Sequence, residues 1–158
     1  MRQHHLVLAT WASLVILPAG SAFAHCEVPC GVYDDQQRFD QMLEDQTTIA
    51  KAMTNIDELA GHSDAQSKNQ LVRWIDTKEA HATSTQHIIA QYFMTQRIKS
   101  SDPGGVASYT KKLTAAHAVL VAAMKCKQSS DVATAAALRS AILDFYRAYE
   151  GKEPQLHR

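Results

Sequence analysis

The stretch "DDQQRFDQMLEDQTTIAKAMTNIDELAG", residues 34–61, decides the fold. Its apolar positions Phe39, Met42, Ile49, Met53, Ile56 and Ala60 recur at steps of 3, 7, 4, 3 and 4 residues, and polar Gln46 fills one place in the series. Such steps line up side chains on one face of a helix and are those of a bundle seam. Asp34 and Asp35 can cap the start, because a short side-chain carboxylate accepts from the first unpaired backbone N–H groups. Gly61 is a natural stop.

The same period continues outward. A second helix is expected from about Asp64 to Lys99, with Leu71, Trp74, Ile75, Ala82, Ile89, Tyr92, Phe93 and Ile98 facing inward. Its length leaves room for a kink or break. Ser100-Ser101-Asp102-Pro103-Gly104-Gly105 is the clearest loop, since proline and paired glycines do not sustain a helix. Beyond it Tyr109, Leu113, Ala116, Leu120, Ala123 and Lys127 keep helical spacing. A short QSSD turn then leads to a fourth helix, about Asp131 to Glu150, carrying Val132, Ala135, Leu138, Ile142, Phe145 and Tyr149. Short connections make sequential helices antiparallel neighbours, so the predicted class is all-α, an up-down antiparallel four-helix bundle over residues 34–158. No β pattern, glycine-rich phosphate loop or internal repeat competes with it.

Upstream of the bundle lies a different kind of sequence. MRQHH is followed by LVLATWASLVILPAG, an apolar run of signal-peptide length, and then by Ala22-Phe23-Ala24, small residues at the two positions read by signal peptidase. Residues 1–24 are therefore expected to be a leader cut after Ala24, with the mature chain exported, in a bacterium to the periplasm. A membrane anchor fits less well, because the run is short and interrupted by Pro18 and Gly20. No other segment could span a bilayer. Cleavage removes one basic residue, Arg2, leaving 15 basic against 16 acidic residues. That near-balance points to neither a nucleic acid nor an anionic membrane as partner.

The chemistry gathers in residues 25–33, His25-Cys26-Glu27-Val28-Pro29-Cys30-Gly31-Val32-Tyr33. Cutting after Ala24 gives His25 a free α-amine, whose reference pKa of about 7.7–8.0 makes a neutral nitrogen donor available near physiological pH. The amine, the His25 imidazole, the amide nitrogen of Cys26 and the two thiolates then lie within six residues. Amine and amide can close one chelate ring, and the Cys26 amide with its own sulfur a second. Pro29 and Gly31 help the chain turn so that Cys30 supplies the next sulfur. Soft thiolates combined with strong-field nitrogens suit a square-planar ion, and nickel(II) fits. Zinc prefers a tetrahedron of side chains, and copper would be prone to oxidise the thiolates. Thiolate and amidate donation also brings a Ni(II)/Ni(III) couple within reach, which implies a redox enzyme.

This run resembles the nickel hook of nickel superoxide dismutases, H-C-x-x-P-C-G-x-Y at a processed N-terminus. The likeness continues through QLVRW, QYFMTQRIK and MKCKQ, which resemble the marine-type members at matching intervals. It implies dismutation of superoxide to dioxygen and hydrogen peroxide, one nickel ion per chain, and a homohexamer that buries the hooks against neighbouring subunits. It further implies a metal plane made by the His25 amine, the Cys26 amide and the Cys26 and Cys30 sulfurs, with the His25 imidazole axial in the oxidised state. Tyr33 would stand at the substrate channel, supported by Tyr92. Asp40 and Lys78 are approximate matches for the acidic residue and the arginine that hold the axial imidazole in better-known members.

Two other readings use the same residues. A non-catalytic periplasmic module carrying nickel or copper would bind metal at the hook and leave it exchangeable. A structural secreted bundle would instead pair Cys26 with Cys30 as a disulfide, the usual fate of exported cysteines. Three cysteines allow at most one intrachain bridge, and Cys126 reads as a buried small hydrophobe. His62, His81, His87 and His117 form no i, i+4 pair and read as surface or satisfied core histidines.

Overall fold

Asp34 opens the first helix as its position suggests, its Oδ1 accepting from the Gln37 amide at 2.9 Å. The structure, a computed structural model, describes residues 34–154. Four α-helices follow one another, and there is no strand among the described residues: α1 (Asp35–Ala60), α2 (Ala65–His87), α3 (Gly105–Gln128) and α4 (Val132–Glu150). Asp64 and Asp131 cap α2 and α4 through the amides of Ser67 and Ala133. Gly104 closes the loop ahead of α3 at φ 96°, where a Cβ would also fall 2.7 Å from Cβ of Ser108, so that position favours glycine on two counts.

The second helix, whose length leaves room for a kink or break, changes its winding part-way. Directly after His87, α2 passes into a π-helix over Ile88–Arg97. Its pattern of bonds five residues apart is carried on by Ile98 N donating to Phe93 O at 2.8 Å and by the side chains of Thr95 and Gln96, which donate to the carbonyls of Ala90 and Gln91.

Cross-helix bonds fix the topology. Between α1 and the second helix, Asp45 meets His81 and Asp35 meets Tyr92, so numbers rise along one as they fall along the other. Lys78 meets Cys126 and Gln86 meets Leu120 in the same sense, as do Met53 with Thr134 and Gln36 with Tyr146. The result is the up-down antiparallel bundle. Its core is built on Phe39, Met42, Ile49, Ile89, Phe93, Leu138, Ile142 and Phe145, all essentially without solvent contact. Three of these rings pack in one layer, Phe93 lying 4.9 Å from both Phe39 and Phe145. Asp45 and Gln46 are buried too, and Asp45 accepts from His81 Nδ1 at 2.7 Å and from Thr85 Oγ1 at 3.4 Å.

The helices are unequal in reach. The α3–α4 turn lies level with Met53 and Lys78, so residues 54–77 form a helical hairpin that projects past the other two helices. No residue in that hairpin is buried. Ile56, Ala60, Leu71, Trp74 and Ile75 were expected to face inward, and their pattern is real. Among the described residues no third helix stands opposite to bury them fully, and Val72 and Ile75 are 57% and 39% exposed. Val132, expected inside, is likewise open at the first position of α4.

Where α3 stops, Lys78 completes it. Its ammonium, on a residue only 5% exposed, donates to the carbonyls of Cys126 and Lys127 at 2.8 and 2.7 Å and pairs with Glu79 at 2.9 Å. The last carbonyls of a helix have no partner within it, and a cation there also meets the negative end of the helix dipole. Lys78→Met keeps the aliphatic stem and removes the donor, which should lower unfolding free energy by about 1–3 kcal/mol. The check is a fall in the denaturant midpoint at constant slope; an unmoved midpoint would mean that the carbonyls find other donors.

Candidate metal centre

His25, Cys26, Cys30 and Tyr33 lie outside the described residues. What the structure defines is the end of the bundle to which they are joined. Asp35, the first residue of α1, stands two positions after Tyr33 and five after Cys30. Three side chains from two other elements converge on its carboxylate. Arg97 donates twice, Nε to Oδ1 at 2.9 Å and Nη2 to Oδ2 at 2.8 Å. The Tyr92 hydroxyl donates to Oδ1 at 2.5 Å and the Tyr149 hydroxyl to Oδ2 at 2.8 Å. Immediately after Asp35, Gln36 accepts from the Tyr146 hydroxyl and donates to Oδ1 of Asp40, one turn further on, at 2.9 Å. The Arg38 guanidinium lies over the Tyr92 ring, 5.4 Å from its centre.

The winding of the π-helix makes this convergence possible. Residues five apart in an α-helix, at 3.6 residues per turn, point about 140° away from each other. With bonds joining residues five apart, they stand nearly one above the other. Tyr92 and Arg97 are such a pair, and both reach one carboxylate.

The electrostatics follow from the contacts. Partial burial alone would raise the Asp35 pKa, but the hydrogen bonds from Arg97, Tyr92 and Tyr149 outweigh it and hold the carboxyl below its ordinary value. Burial, then the neighbouring carboxylate, pushes the Tyr92 and Tyr149 hydroxyls well above the usual phenol range, so both remain protonated donors at neutral pH. The hydrogen bond to Asp35 raises Arg97 further still.

Of the residues assigned from resemblance, Tyr92 is buried at this end, 2% exposed, and Asp40 lies one turn behind Asp35. Lys78 is bonded to the far end of α3 instead, and no bond among the described residues joins it to Asp40. Cys126 is a free, fully buried thiol whose pKa burial pushes upward, as its sequence reading anticipated. Asp35, Arg97 and Tyr149 were not singled out from sequence. Asp35 reads as a cap and Tyr149 as core, and the usual helical period sends Arg97 to a different face from Tyr92.

Among the described residues no three His, Cys, Asp or Glu side chains gather to hold a metal. The side chains of His25, Cys26 and Cys30, an imidazole and two thiols, have the softness and field strength that suit nickel. An all-α bundle whose first helix follows directly on such a run has the build of a redox metalloprotein. A family model described as nickel-containing superoxide dismutase matches residues 20–153, and the chain belongs to that family. It is an oxidoreductase, a superoxide dismutase of the nickel-containing kind. No curated protein and no solved structure matches the chain.

Proposed function

We propose that the chain, once cut after Ala24 and exported to the periplasm, binds one nickel ion through the His25 α-amine, the Cys26 amide nitrogen and the Cys26 and Cys30 sulfurs, and converts two superoxide ions and two protons into dioxygen and hydrogen peroxide. Nickel in that donor set would supply the one-electron Ni(II)/Ni(III) couple that dismutation needs. The chain's own residues do the rest. The His25 imidazole would be a further nitrogen donor to the metal. Tyr33 limits access to small species and orders the water through which protons arrive, and Tyr92, a protonated phenol fixed by Asp35, backs it. Asp40, on the same early stretch of α1 as Asp35, would serve the imidazole; Lys78 has its donors engaged at α3.

The observation that carries this reading is the donor run His25-Cys26…Cys30 standing directly ahead of α1 in a chain of the nickel-containing family. Family membership also weighs against a module that merely carries metal. We also propose a homohexamer, for which the exposed Val72 and Ile75 of the projecting hairpin offer apolar contact area. No described helix is long and apolar enough to cross a membrane.

The test is metal analysis of protein isolated with its native N-terminus, run beside a superoxide decay assay and a sedimentation mass. One nickel per chain, activity proportional to nickel content and a sixfold mass are expected. Activity that tracks another metal, or none, would overturn the assignment.

A further inference from the structure

Asp34 already caps α1 through the Gln37 amide, so Asp35 is not needed for that purpose. It nevertheless gathers Arg97, Tyr92 and Tyr149, drawn from the π-helix and from the last turn of α4. Taking an ion pair and two phenols partly out of water is a weak route to stability, since apolar packing of equal volume does as well. Its distinctive product is geometry, because a bidentate guanidinium-carboxylate pair accepts one orientation. A helix's first turn otherwise has few bonds of its own to fix it. Here that turn is tied to two other elements at the point where the chain leaves for residues 25–33. Tyr33 and Cys30 precede Asp35 by only two and five residues in the chain.

We infer that Asp35 is a positioning residue for the nickel hook, and that its clamp of Arg97, Tyr92 and Tyr149 fixes the origin and direction from which residues 25–33 reach the metal. The inference rests on the reading of those residues as the nickel ligands. Relay of protons is the other use for a carboxylate between two hydroxyls, and the pairing with Arg97 argues against it. A carboxylate held ionised by a guanidinium is a poor proton acceptor, and both phenols keep their protons.

The test uses the full chain, processed so that His25 is N-terminal and loaded with Ni(II). Asp35→Asn keeps the size and one acceptor oxygen but loses the charge and the bidentate pair. Nickel per chain should be retained, while turnover per nickel falls about 10- to 100-fold, the scale of a misplacement near 1 Å. The rhombic Ni(III) resonance should split or broaden as the hook takes more than one setting. Arg97→Lys, which keeps the charge without the fork, should do the same to a smaller degree. Tyr149→Phe removes one donor and keeps the ring against Phe93 and Phe145, so it carries the test should Asp35→Asn fail to fold; a several-fold loss with a broadened resonance is expected. A lower melting temperature with turnover per nickel and resonance both unchanged would overturn the inference, because Asp35 would then only stabilise the bundle. Wild-type protein that binds nickel elsewhere, or none, would overturn the ligand assignment itself. An active wild type with unaltered variants removes the clamp alone.

Discussion

Replacing Cys26 or Cys30 with serine should abolish dismutation, each change alone being sufficient. A thiolate is the soft, strongly donating ligand that makes the oxidised state of nickel accessible, and a hydroxyl at the same place is a hard, weak donor. Loss of either sulfur therefore raises the metal potential out of the range in which superoxide both reduces and reoxidises the site. The bundle should be untouched. Helix α1 begins at Asp35, after both cysteines, and the described residues form a continuous core among themselves. Far-ultraviolet circular dichroism should accordingly match wild type while superoxide decay falls to that of nickel-free protein. Cys126→Ser is the control expected to stay active, since that thiol is buried at the other end of α3 from the start of α1. Appreciable activity in either hook variant would sink the nickel-thiolate mechanism.

The second large effect should come from adding a single residue ahead of His25. With a peptide bond in place of the free amine, the His25 nitrogen becomes an amide with no basic lone pair near neutral pH. One of the two chelate rings is then lost, and the added residue crowds the approach of the metal. The free amine, with its pKa of about 7.7–8.0, is available to a metal at physiological pH. The extended chain should fold, because nothing ahead of Asp34 is needed to cap α1. It should show little dismutase activity until a protease exposes His25 and Ni(II) is supplied. Full activity with the extension still attached, verified by intact mass, would show that the amine is not a ligand.

Local chemistry made much of this fold legible. Phe39, Met42, Ile49 and Met53 are fully buried as their spacing requires, and Asp34, Asp64 and Asp131 cap the helices that follow them. Each of those readings uses neighbours within a few turns. The rest depends on partners far away in sequence. Asp35 binds residues 57, 62 and 114 positions distant, and no local pattern announces them. The π-helix was hidden for a related reason, since an apolar run read with an α-helical period shows no sign of rewinding. Ile75 has the spacing of a core residue, but its exposure is decided by where α3 ends. Lys78 looked available as a partner for the axial imidazole until its place beside Cys126 was known. At the centre itself the position was reversed: the donor run is dense enough to name a metal, while the geometry of His25, Cys26, Cys30 and Tyr33 lies outside the described residues.

The projecting hairpin of residues 54–77 makes the bundle a cantilever. At one end α1, the π-helix and α4 are bolted together through Asp35, with the tilted and edge-on rings of Phe39, Phe93 and Phe145 packed beside them. At the other, two helices run on unsupported, without a buried residue between them. Openings of low free energy belong to regions with few buried contacts, so they are confined to the free tip. The chain can thus yield at its free tip while the end of the bundle joined to residues 25–33 stays rigid.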